Sequence, residues 1–125
     1  MNRRKVVLKN RSLLPAGVES EIVFLEQDLL QPVWDETGQA IYYPIGVQAN
    51  FAGAGSITIT ALWTIDGSNF VAVVFAGTGD VSVITGATGT CWDILRLPVS
   101  ATAVQFVVTE TGVGAITDLD LVMSF

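Results

Sequence analysis

Apolar and polar residues alternate most regularly beyond Ser56. Ile57, Ile59, Ala61, Trp63 and Ile65 interleave with Thr58, Thr60, Leu62 and Thr64. A period of two marks a strand with one face buried. Val104, Phe106 and Val108 alternate in the same way with Gln105, Val107 and Thr109. In the last stretch, Ala115 to Ser124, Leu119, Leu121 and Met123 oppose Asp118 and Asp120. Between these lie candidate strands over 69–75, 81–85 and 91–97, punctuated by the turns Gly77-Thr78-Gly79-Asp80 and Gly86-Ala87-Thr88-Gly89 and ended by Pro98. The upstream part is less regular. Residues 4–9 and 18–25 read as strands, 26–31 are ambiguous and 32–38 read as a loop. Residues 40–50 read as a strand interrupted at Pro44 and Gly46, which predicts an edge position. Eight or nine short strands and no convincing helix predict an all-β fold, a single antiparallel β-sandwich of jelly-roll-like form. Trp63, Phe70, Trp92, Phe106 and Leu121 are the expected filling between its two sheets.

The sharpest local signal is Trp63-Thr64-Ile65-Asp66-Gly67-Ser68-Asn69-Phe70. Asp66-Gly67 supplies the backbone freedom of a tight hairpin turn, and Trp63 and Phe70 stand on its two arms to fix register.

Composition sharpens this picture. Half of the 125 residues are hydrophobic and 14% are charged, against roughly 25% charged in typical soluble domains. No continuous apolar run reaches the roughly 20 residues of a membrane-spanning helix. The excess therefore implies strands buried on both faces, together with surface that becomes buried by self-association. Arg3, Arg4 and Lys5 are followed at once by Val6-Val7-Leu8 and then Lys9, too short a hydrophobic stretch for a signal peptide. The expectation is a protein made in a cytoplasm.

Charge is split along the chain. Arg3, Arg4, Lys5, Lys9 and Arg11 are five of the six basic residues, and no acid precedes Glu19. The remainder sets Arg96 against 12 acids. The expected organisation is a basic N-terminal arm over 1–12 and a sandwich domain over 13–125. The arm reads either as a partner-docking segment or as a strand edge protected from aggregation by its cations. Nucleic acid is a poor partner, because the body is strongly acidic and no aromatic interleaves with the basic residues.

Catalytic chemistry finds little support. Histidine is absent, which removes the commonest general base and zinc ligand. Cys91 is the single cysteine, so no internal disulfide forms, and it reads as a structural thiol. Asp118 and Asp120 are the obvious carboxylate pair, yet on a strand they share a solvated face. The aspartates at turns, Asp66 and Asp80, are explained by turn chemistry, and no loop has the dense acid alternation of a calcium site. The glycine pairs precede no helix and read as turns, not phosphate cradles. The expectation is a non-enzymatic protein without catalytic residues, metal or cofactor. Trp34, Tyr42 and Tyr43 lie in the irregular half and are the candidates for surface aromatic contacts; a sugar-stacking platform built from them is the alternative reading, a carbohydrate-binding module.

The stretch from Ser56 to Phe125 resembles the β-sandwich modules of tailed-bacteriophage virion proteins. The resemblance is carried by Thr64-Ile65-Asp66-Gly67-Ser68-Asn69-Phe70, by Trp92-Asp93-Ile94, by Val104-Gln105-Phe106-Val107-Val108 and by Thr111-Gly112-Val113-Gly114-Ala115, in that order. Thr64 and Phe70 stand where such modules more often have Ser and Trp. The first 55 residues match no such module. The resemblance implies a structural protein of the virion: capsid decoration, head fibre, or a neck or tail component. It also implies other virion proteins, or further copies of the chain, as partners.

Overall fold

Each alternating stretch satisfies two demands at once, burial of one face and hydrogen bonding along its edges. The computed structural model describes residues 3–73, 83–86 and 89–125. Its strands are β1 (Arg4–Leu13), β2 (Val18–Phe24), β3 (Val33–Trp34), β4 (Ala40–Gly53), β5 (Ile57–Thr64), β6 (Val71–Ala72), β7 (Val83–Gly86), β8 (Thr90–Pro98), β9 (Ala103–Glu110) and β10 (Ile116–Ser124). A 3-10 turn at Gln27–Leu29 resolves the ambiguous stretch between β2 and β3. The turn expected at Gly77–Asp80 and the strand start expected at Val81 lie outside the described residues.

All ladders are antiparallel. One sheet runs β1-β10-β4-β8, with β3 beside the start of β4. The other runs β2-β9-β5, with β6 and β7 along the far edge of β5. Successive long strands alternate between the sheets, β1 to β2, β4 to β5 and β9 to β10. That is the rolled double Greek key of a jelly roll. Ile45, Val47, Ala49, Leu95, Leu97, Leu119 and Leu121 from the first sheet meet Ile57, Ile59, Ala61, Val104, Phe106 and Val108 from the second, all buried.

Four local expectations are corrected. The basic segment is not a separate arm: over Arg4–Leu13 it is strand β1, paired with β10, and Val7, Leu8 and Leu13 are part of the core. Strand β4 is not an edge but is flanked by β10 and β8. Pro44 is tolerated because it lies between the last β3 pair, at Tyr42, and the first β10 pair, at Gly46. No ladder on that flank needs an N–H from it. The Asp66-Gly67 hairpin is wider than expected, with Trp63 opposite Val71 and Phe70 outside the ladder. The Asp66 carboxylate closes this loop, accepting from the Ser68 and Asn69 N–H groups at 2.8 Å each and from the Thr64 hydroxyl at 3.0 Å. Finally, Trp92 is 70% exposed. The register of β8 turns Asp93, Leu95 and Leu97 inward and Trp92 outward.

Candidate docking surfaces

Three surfaces stand out. The first is the outer face of the second sheet. With Val23 inward on β2, Val18, Ser20, Ile22 and Phe24 face out. The ladders set Val18 beside Thr109 and Thr58, Ser20 beside Val107 and Thr60, and Ile22 beside Gln105 and Leu62. No charged side chain stands at any of these positions. Ile22 and Val18 are exposed, and Phe24 is 73% exposed. On a chain with 18 charged residues, an uncharged sheet face with exposed Ile, Val and Phe is the composition of a contact surface.

The second is a cleft of about 330 Å³ at the end of the sandwich where β1 starts and β10 finishes. Its basic lining is Arg3, Arg4 and Lys5, its apolar lining comes from Val23, Phe24, Leu25, Leu29, Leu30, Met123 and Phe125, and Glu26 is its one acid. The Arg3 N–H donates to the Phe125 carbonyl at 2.7 Å and the Phe125 N–H to the Arg3 carbonyl at 2.9 Å, which fixes where the basic run begins. The other expected docking cations are otherwise engaged. Lys9 Nζ lies 3.4 Å from Asp120, and Arg11 lies 3.7 Å from Glu19. The five basic residues therefore divide, three at the cleft and two in ion pairs that tie β1 to β10 and to β2.

The third comprises the aromatics, which the fold does not gather into one platform. Tyr43 points into the core and is buried. Tyr42 faces out, half-buried, with the Arg96 guanidinium 5.7 Å from its ring centre. Trp34 is 60% exposed on β3, opposite Ala40. A hairpin turn follows it: the Asp35 carboxylate accepts from the Thr37 N–H at 2.9 Å, the Thr37 hydroxyl at 2.6 Å and the Gln39 N–H at 2.9 Å. These bonds hold the Asp35 carboxyl below its usual range.

The opposite end of the sandwich is closed by one carboxylate. Glu110 is buried at the inward position that ends β9. It accepts from the N–H groups of Ser56 at 2.9 Å, Ala16 at 3.4 Å and Gly112. Burial pushes its carboxyl up, but the three backbone donors outweigh that and its pKa is lowered. The β1–β2, β4–β5 and β9–β10 loops are thus pinned to one side chain. A Cβ on Gly55 would fall 2.5 Å from the Gly114 carbonyl oxygen, so these glycines permit backbone packing rather than anion binding.

Asp118 and Asp120 do not act as a pair. Asp118 sits at a bulge with φ of 54°, while Asp120 accepts from the Asn10 N–H at 2.9 Å and from Lys9. The Asn10 bond first, and Lys9 after it, hold the Asp120 carboxyl below its usual range. Burial pushes the Cys91 thiol up. Among the described residues, no three His, Cys, Asp or Glu side chains gather as metal ligands.

Two of these features escaped the sequence reading. The cleft draws on residues from four separated stretches, which periodicity does not connect. Glu110 did leave a signal, a carboxylate in the inward phase set by Val104, Phe106 and Val108, directly before a glycine-rich turn.

No family model matches the chain, and no curated protein matches it in sequence. Among solved structures, the SPBc2 prophage-derived protein YomS aligns over 100% of this chain and 94% of its own, with a TM-score of 0.56 and 11% identity. The mitogen derived from Yersinia pseudotuberculosis aligns over 99% of this chain and 84% of its own, at a TM-score of 0.48 and 6% identity. PirA aligns over 99% and 91%, at a TM-score of 0.44 and 12% identity. The last two overlays are too loose to carry an argument. The first is a likeness of fold, and it extends along the whole jelly roll.

Proposed function

We propose that this chain is a structural protein of a bacteriophage virion, non-enzymatic, acting by protein–protein contact on the capsid or at the neck or tail. The observation that carries the reading is the uncharged outer face of β2, β9 and β5. An isolated domain gains solubility from charge on such a face, whereas a subunit that docks through it avoids the desolvation cost of buried ions. Two further points support it. The chain shares its full-length fold with a prophage-derived protein, and the order of motifs from Thr64 to Ala115 resembles that of virion modules. The glycan-binding alternative loses its three-residue platform with Tyr43 in the core.

Quantitative mass spectrometry of density-purified particles of the phage that encodes the chain tests this reading. The expected result is a fixed copy number per particle that survives washing. A protein confined to the soluble lysate fraction contradicts it.

A further inference from the structure

We infer that two copies of this chain associate end to end, the Trp34 turn of each seating in the basic cleft of the other. The inference rests on the reading of the chain as an assembly subunit and names one partner for its cleft.

The two surfaces are complementary in chemistry. The cleft combines an apolar lining with three cations, Arg3, Arg4 and Lys5, against one acid, Glu26. The turn presents an exposed indole followed directly by Asp35 and Glu36. An indole enters the apolar part while the carboxylates meet the cations. Trp and Arg are the residue types that dominate binding energy when they fill a partner's pocket. The cleft, at about 330 Å³, falls at the lower end of the range for pockets that enclose a bound group.

The turn is also rigid before binding. The three hydrogen bonds to Asp35, the Gly38 N–H bond to the Asp35 carbonyl at 3.1 Å and a Gly38 φ of +80° fix its shape. A preformed knob loses little conformational freedom on docking.

Placement supplies the symmetry. Strand β10 is antiparallel to both β1 and β4, so the starts of β1 and β4 lie at the same end of the first sheet. Cleft and Trp34 turn therefore share one end of the molecule. A two-fold axis through that end brings each turn to the other copy's cleft, giving one self-complementary interface. The remainder of each copy is acidic, so like-charge repulsion disfavours other approaches.

Sedimentation velocity of the purified full chain over a concentration series tests this. The wild type is expected to show a monomer–dimer equilibrium. Trp34→Ala, Glu36→Lys and Lys5→Glu, all at exposed positions, are each expected to weaken it about tenfold or more while leaving the thermal melt unchanged. Mixing the Lys5→Glu and Glu36→Lys proteins should restore dimer. In the mixed pair one contact keeps Lys5 against Glu36 and the other exchanges the charges. A wild type monomeric at every concentration, association unmoved by all three variants, or no recovery on mixing overturns the inference. Any of these outcomes with normal particle incorporation leaves the virion reading intact. A dimer with the expected variants but no particle association overturns the virion reading alone.

Discussion

At the residue scale, the strongest constraints lie where backbone groups converge on a single side chain. Glu110 gathers three N–H groups from three loops, and Asp66 gathers two within one loop. Their carboxyls, with those of Asp35 and Asp120, are held below the ordinary range. A carboxyl with a depressed folded pKa contributes stability that is complete above its unfolded value and is lost as pH falls through the folded one. Thermal melting is therefore expected to be flat from neutral pH to about 5 and to fall steeply below about 4. In Glu110→Gln the melting temperature should drop at neutral pH and the acid limb should become shallower. An acid limb identical to wild type contradicts the role given to Glu110. Gly55→Ala places a methyl against the Gly114 carbonyl oxygen and should cost about 1–3 kcal/mol in denaturant unfolding.

At the element scale, legibility followed burial. Strands β5, β9 and β10 bury one face against the other sheet, so their alternation is plain in the sequence and their bounds fall within a residue or so of the pattern. Pro44 and Gly46 read as edge signals, yet β4 is central, because the gap between its two neighbours on one flank absorbs the proline. Residues 4–9 read as a strand and are one, but the place of β1 in the core is hidden by its charge: only Val7, Leu8 and Leu13 turn inward, and bulges break the alternation. Those bulges and cations also suit an edge that must not pair with another chain. The distinction between arm and strand has a consequence. Removing residues 1–12 deletes the β1–β10 ladder and the buried Leu8, a loss of the size that unfolds small domains; truncating such a leucine alone costs about 2–5 kcal/mol. The truncated chain is expected to lose its cooperative melt, whereas Lys5→Glu keeps it. A truncated protein that melts like wild type contradicts the assignment of β1 to the core.

At the scale of the whole molecule, the jelly roll was legible as a fold class because many short alternating strands admit few other arrangements. The sites were less so. The basic cleft and the uncharged face exist only once four stretches and three strands are brought side by side, and no local pattern announces either. Of the aromatics expected at the surface, Trp34 is exposed while Tyr43 lies in the core, because Tyr42 and Tyr43, adjacent on a strand, point to opposite faces. As proposed, the molecule is a rigid piece with one uncharged face for docking and one end for self-association. The uncharged face carries the functional reading, so it is the place to test it. Ile22→Lys combined with Val107→Lys puts two charges in its centre without touching the core. The decisive measurement is the occupancy of this double variant in purified particles relative to wild type, with its thermal melt as control. The account predicts a melt near that of wild type and occupancy lower by about tenfold or more; wild-type occupancy by the folded variant would contradict it.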